Sequence, residues 1–290
     1  MTGADRIEDR IADRPEDRLK ERIAAELAAV RRRSLGLTVD VLDPPELTAQ
    51  HSPLMSPLVW DLAHVGNYEE QWLVRAAAGD AALRPELDRL YDAFEHPRAT
   101  RVALPLLPPG EAQGYLAEVR TRVLDSLDRV RLRPDRPLLA GGFVYGMVVQ
   151  HEHQHAETML ATHQLRRGGP VLADPPPAAP PPRAAPEPAE VLVPAGPFEM
   201  GTDDDPWAYD NERPAHRVHL PAYWIDAHPV RNRDYLEFLA DGGYDDPRWW
   251  TAAGWAWRTR SGKRAPAFWL RDGTRWLRRR FGRIEPLPPD

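Results

Sequence analysis

The sequence predicts an α+β protein in two parts, a four-helix bundle followed by a smaller body of short strands and turns. Three observations carry that expectation. The residues up to 172 contain four long segments with helical apolar periodicity. The stretch ADPPPAAPPPRAAPEPAE, Ala173 to Glu190, then breaks the chain with closely spaced prolines, which favour an extended, semi-rigid spacer. Beyond it, short apolar or aromatic runs alternate with Gly, Pro and Asp, the punctuation of strands and turns. A chain of 290 residues can supply two such bodies with separate cores. The expected division is a bundle over 1–172, a linker over 173–190 and a second domain over 191–290.

The first helix is expected from Pro15 to Arg33, ending near SLGL. Upstream, MTGADRIEDRIADRPEDR is dense in alternating charge and has no apolar core of the secretory type, so it reads as a solvated helix or frayed arm. The second helix is expected over Leu54 to Ala77, the third over Glu111 to Leu132 and the fourth over Phe143 to Arg167, where RRGG supplies basic residues and then glycine at a helix C-terminus. Between the second and third lies RPELDRLYDAFEHPRATRVALPLLPP, far longer than a minimal bundle turn; connections of that length are often functional. After the linker, VLVPAGPFEMG, HRVHLPAYWID and DGGYDDPRWW suggest strands and turns, and NRDYLEFLADGG a helix stopped by glycine. Trp249, Trp250, Trp255, Trp257, Trp269 and Trp276 suggest a tryptophan-rich core.

Composition narrows the chemistry. Acidic residues outnumber basic ones, 44 to 38, for a net charge of -6, which argues against a nucleic-acid partner. With no cysteine, disulfides, thiolate ligands and a cysteine nucleophile are excluded, so any metal must be held by His, Asp or Glu. No apolar run has membrane-spanning length, and a cytoplasmic location without membrane partners is expected.

The chemistry concentrates in HEHQHAETML, His151 to Leu160. In a helix His151 and His155 share one face, a turn apart, while His153 points elsewhere. Val144, Val148, Met159 and Thr162 continue that face, which should therefore turn inward and bury the two imidazoles. On the second helix, LVWDLAHVGNYEEQW places His64 in an apolar stripe, and a bundle can bring side chains of facing helices to one site. His64 could complete a three-histidine centre; alternatively Asp61 or Glu157 could complete a site of two histidines and one carboxylate. The short pattern H-E-x-x-H also occurs in zinc proteases, but Thr158 and Ala161 stand where the extended metzincin form needs glycine and histidine.

Taken together, SPLVWDLAHVGNYEEQWLVR, YDAFEHPRATRVALPLLPP and VVQHEHQHAETMLA resemble the DinB-like domain of the ergothioneine-biosynthesis sulfoxide synthases, or hercynine oxygenases. The segment from VPAGPFEMG to FLADGGY resembles the start of a formylglycine-generating-enzyme-like domain of C-type-lectin-like fold. The resemblance implies non-haem iron(II) held by His64, His151 and His155, and the O2-dependent joining of a thiol, gamma-glutamylcysteine or cysteine, to hercynine as a sulfoxide. It further implies that Arg98 and Arg101 hold the carboxylates of the thiol and that Gln154 helps orient hercynine. The second domain of that family is longer than the residues following the linker, and no tyrosine here can be assigned the family's proton-donor role. Impaired sulfoxide formation is therefore expected of this chain. Sulfatase-activating chemistry, which works through cysteines, is excluded. The same triad with zinc or nickel would suit a DinB-like thiol transferase or hydrolase. A non-catalytic ligand-binding fragment and a selenium-handling relative are further alternatives.

Overall fold

The computed structural model describes residues 15–173 and 189–289. The charged arm expected over 1–14 and most of the proline-rich linker lie outside these. The described residues form two compact units: 15–167 together with 200–216, and 168–199 together with 217–289. None of the described helices is long and apolar enough to cross a membrane.

The first unit is built on four long helices. Helix α1 spans Pro15–Gly36, and a short α2 follows at Pro44–Thr48. Helix α3 spans Leu58–Glu69 and runs on without a break into a π-helical segment, Glu70–Ala77. It starts four residues later than the periodicity predicts, because Pro57 pushes the residue before it out of helical conformation. Helix α4, Pro109–Arg129, has proline in its first turn, where the missing N–H costs nothing. Helix α5 is Phe143–Leu165. Ile23, Leu27 and Val30 of α1, Leu58 and Leu62 of α3, Val119 and Val123 of α4, and Val144 and Met159 of α5 are fully buried together.

Through this apolar interior runs a charged layer with one residue from each long helix. Arg31 reaches Glu69 at 2.6 Å and Glu152 at 2.8 Å; Arg120 reaches Glu69 at 2.6 Å and Glu152 at 3.5 Å, and also donates to the Leu27 carbonyl. Burial alone would raise the Glu69 carboxyl, but Arg31 and Arg120 outweigh it and hold the carboxyl below its ordinary range. Every member is matched, which is what lets such charges sit inside.

The segment 200–216 packs on α5 through Trp207. Its indole N–H donates to the Gly141 carbonyl at 3.1 Å, its own carbonyl accepts from Gln150 at 2.9 Å, and Arg22 lies 4.4 Å from its ring. Gly146 makes the approach possible, since a Cβ there would fall 2.3 Å from the indole.

In the second unit β1 (Glu190–Val193) pairs antiparallel with β4 (Tyr223–Asp226), with Val193 opposite Tyr223. Strand β2 (Gly196–Met200) pairs with β3 (His216–Leu220), and β5 (Trp269–Asp272), β6 (Arg275–Arg280) and β7 (Arg283–Pro286) form a three-stranded meander. Helix α6, Asn232–Ala240, is the one read from NRDYLEFLADGG. Helix α7, Ala252–Ser261, was not expected; its start is marked by Thr251, whose side chain accepts from Gly254 N–H, and its end by Gly262 at φ 63°. Three of the six tryptophans, Trp250, Trp269 and Trp276, join one aromatic cluster through Tyr244, Phe238 and Tyr235. Tyr244 is buried against Trp250 and Phe238, and Trp269 meets Trp276, but Trp249 and Trp257 are 57% and 49% exposed.

Two outcomes are expected of the first unit. Removing one partner from the charged layer, Glu152→Ala, should lower the unfolding free energy by about 3–5 kcal/mol, because Arg31 is left buried with part of its charge unmatched; denaturant unfolding followed by far-UV circular dichroism measures this. Gly146→Ala should destabilise the chain but become neutral or stabilising by up to about 1 kcal/mol when Trp207 is also Ala, a coupling that a double-mutant cycle reads directly.

Candidate metal centre

Helix α3 carries Trp60, Asp61 and His64 within one turn, all buried. The His64 Nδ1–H donates to the Tyr91 carbonyl at 2.7 Å, which leaves Nε2 facing the other way. Tyr91 belongs to the long connection between α3 and α4 and is itself fixed by its hydroxyl, which accepts the Leu107 N–H at 3.0 Å. The connection reaches the histidines through a backbone atom, which no side-chain pattern could have revealed.

Helix α5 presents His151 and His155 to the same place. Their neighbours Val144, Val148, Met159 and Thr162 are buried as the stripe predicts, and His153 is exposed. The Nε2 atoms of His64 and His151 lie 3.2 Å apart, and one nitrogen from each of the three histidines falls within 4.8 Å of the others. Two nitrogens each ~2.1 Å from one ion and at right angles are about 3 Å apart, so this spacing suits a shared cation. Among the described residues these three form the group of possible ligands close enough to hold one.

Neither carboxylate considered in the sequence takes a ligand position. Asp61 instead accepts a hydrogen bond from His155 Nδ1 at 2.8 Å, and Glu157 is exposed. Glu152, the glutamate of the H-E-x-x-H pattern, points away into the charged layer with Arg31. A zinc protease needs that glutamate beside the metal as general base, so the protease arrangement is absent.

Aromatic faces wall the centre. Trp60 stacks on His64 with ring centroids 4.6 Å apart, and Tyr68 stacks on His151 at 3.8 Å. The imidazoles open onto a cavity of about 590 Å³ lined also by Asn67, Gln71, Trp72, Asp88, Phe94, Arg98, Gln154 and Thr158. Arg98 and Gln154 thus both border the cavity. Arg101 is placed differently: it is buried, its guanidinium lies 3.5 Å from the Trp60 ring, and it donates to the His96 and Ala93 carbonyls and the Ser56 hydroxyl. The 3-10 turn at Arg98–Ala103 sets the two arginines on one face, but Arg101 spends its donors on internal acceptors while Arg98 borders the cavity.

Burial, reinforced by mutual repulsion with His155, pulls the His64 imidazole down to about 4; burial, with His155 and His64 adding to it, pulls His151 down to about 2. Both are therefore neutral at neutral pH, the form a metal requires. Because these folded-state values lie below the ordinary 6.5, the unfolded chain takes up protons first as pH falls. Their contribution to stability is complete above 6.5 and is lost as the pH descends from there toward 4 and below. The thermal midpoint of the metal-free chain should fall over that interval, with a limiting slope of about 1.4 kcal/mol per pH unit for each histidine, and His151→Gln should flatten the fall.

Comparison with known proteins places these features in context. Residues 26–159 match the DinB superfamily, and residues 176–269 match the sulfatase-modifying factor enzyme 1-like domain. The chain is 51% identical over 271 residues to the hercynine oxygenase of Mycolicibacterium smegmatis, an alignment covering 91% of this chain and 60% of that protein. The hercynine oxygenases of Mycolicibacterium thermoresistibile and Mycobacterium tuberculosis are 50% and 48% identical, again over 91% of this chain, with 58% and 60% of their own lengths covered. The chain thus spans about three-fifths of the curated relatives it matches. About half of the aligned residues are identical to those of these hercynine oxygenases, and this chain carries the DinB-type segment first and the sulfatase-modifying-factor-type segment after it.

Proposed function

We propose that His64, His151 and His155 hold iron(II), and that this centre serves the O2-dependent joining of a thiol sulfur to hercynine. The single observation that carries the reading is the convergence of three imidazole nitrogens at the edge of a roomy cavity, in a chain about half identical where aligned to hercynine oxygenases. The donor set fits the ion. Three neutral nitrogen ligands leave its positive charge intact for an incoming thiolate, and ligands from one side leave the cavity side available to substrates. When bound, iron supplies one-electron chemistry with O2 that closed-shell zinc does not.

The overall reaction takes one S–H and one C–H bond and O2 to a C–S bond, a sulfoxide oxygen and water. The residues of this chain bind and orient. Arg98 faces the carboxylates of gamma-glutamylcysteine, for which a guanidinium fork is suited in charge and shape. Gln154, one residue before His155 and bordering the same cavity, offers an amide to the polar edge of hercynine. Arg101 supports Arg98 rather than sharing its ligand: its three internal acceptors shape the loop on which Arg98 sits. Trp60 and Tyr68 keep the histidine rings in place by stacking.

Two readouts test the centre and the reaction separately. Anaerobic titration should show one iron(II) bound per chain, and His151→Ala should abolish it. Aerobic incubation with iron(II), hercynine and gamma-glutamylcysteine should consume O2 and give a product whose mass is the sum of both substrates plus one oxygen less two hydrogens. Arg98→Ala should raise KM for the thiol about tenfold or more while changing kcat less, the size of one charge-assisted hydrogen bond at ~1.5 kcal/mol. Purification with tightly held zinc and no O2 uptake would favour a thiol transferase or hydrolase instead.

A further inference from the structure

Asp61 is a buried carboxylate that no sequence pattern explains as structural. It is 1% exposed, and one oxygen, Oδ1, lies 2.8 Å from His155 Nδ1. The other oxygen, Oδ2, is fully buried and has no hydrogen-bond partner among the described residues. Leaving such an oxygen bare costs free energy, and although the buried Arg101 feels the Asp61 charge, its donors go to His96, Ser56 and Ala93 and leave this oxygen unbonded. Packing alone therefore does not account for a carboxylate here.

We infer that Asp61 is a positioning residue that holds His155 in the Nδ1–H form, so that Nε2 is the metal-binding atom, and that brings one negative charge to the rear of a site whose ligands carry none. A carboxylate oxygen 2.8 Å from a ring nitrogen serves as the acceptor of an Nδ1–H, which leaves Nε2 outside that bond. The Tyr91 carbonyl imposes the same form on His64. The two acceptors differ in one respect: the carbonyl orients its ring, whereas the carboxylate orients its ring and also raises the basicity of the ligand nitrogen. Asp61 and His64 are three residues apart on α3, one helical turn, so a single element both supplies one ligand and orients another.

The inference rests on the metal-centre reading, and its test keeps the two apart. Cobalt(II) serves as the probe, since its visible absorption reports both affinity and ligand field. The full chain should bind cobalt(II), and Asp61→Asn, which keeps shape and removes charge, should raise the dissociation constant by about 10–100-fold and shift the spectrum. Long-range proton–nitrogen correlation of metal-free chain labelled with 15N-histidine, assigned by loss of signals in His155→Gln, should show His155 protonated at Nδ1. Cobalt affinity of Asp61→Asn within twofold of the unsubstituted chain would overturn the inference and leave the metal centre standing. Protonation of His155 at Nε2 would overturn it as well, and this measurement decides the matter even if Asp61→Asn does not fold. Failure of the unsubstituted chain to bind cobalt(II) at all would remove the metal centre and this role together.

Discussion

The arrangement of the first unit depends on the buried layer formed by Arg31, Glu69, Arg120 and Glu152. Each charge comes from a different long helix, and each is satisfied only when all four helices have the right rotation about their axes. Apolar contacts tolerate some rotation; paired buried charges do not, because an unmatched one costs several kcal/mol. On α5 the consequence is specific. With Glu152 committed to Arg31, His151 is turned about 100° away from the charged layer, and His155 follows one turn later on the same face. The glutamate that makes the motif look like a protease is thus the residue that aims the histidines.

A bundle that places polar groups on two sides of one helix has to prevent them from finding one another. Here the two groups leave α5 on different faces. Trp60 and Tyr68 cover two of the imidazoles on their faces, and the fully buried Tyr145 and Leu62 occupy the interior nearby in the chain. Arg101, drawn against Trp60 by its guanidinium face, belongs to the structural group despite its place in a motif that suggests substrate contact.

How much of this was legible in the sequence follows from what kind of atom does each task. The four long helices were readable because each has an apolar stripe several turns long, and His151 with His155 because helical spacing alone sets them side by side. His64 was readable only as a polar interruption of such a stripe. Asp61 was visible too, but as a possible ligand; which of its neighbours a carboxylate contacts depends on the rotation of α3 against α5, which the sequence does not state. The Tyr91 carbonyl was beyond reach because every residue has one. In the second unit the elements are only four to ten residues long, too short for a stripe, so the tryptophan-rich stretch foretold an aromatic cluster but not which indoles join it, and α7 passed unnoticed.

The π-helical segment links these levels. An i to i+5 repeat puts Glu70 and Arg75 on one face, where Arg75 Nε donates to Glu70 at 2.8 Å, and the same guanidinium reaches Asp88 at 2.6 Å. Asp88 also accepts from Asn67 at 2.8 Å, and Tyr115 on α4 donates to the other Glu70 oxygen at 2.7 Å. The long connection is thus fastened to α3 just before it delivers the Tyr91 carbonyl to His64. An ordinary α-helical continuation would turn Arg75 about 140° away from Glu70 and loosen that fastening. The local departure from α-helical geometry is therefore tied to the chemistry: it anchors the loop whose backbone fixes one imidazole and whose next turn carries Arg98 to the cavity.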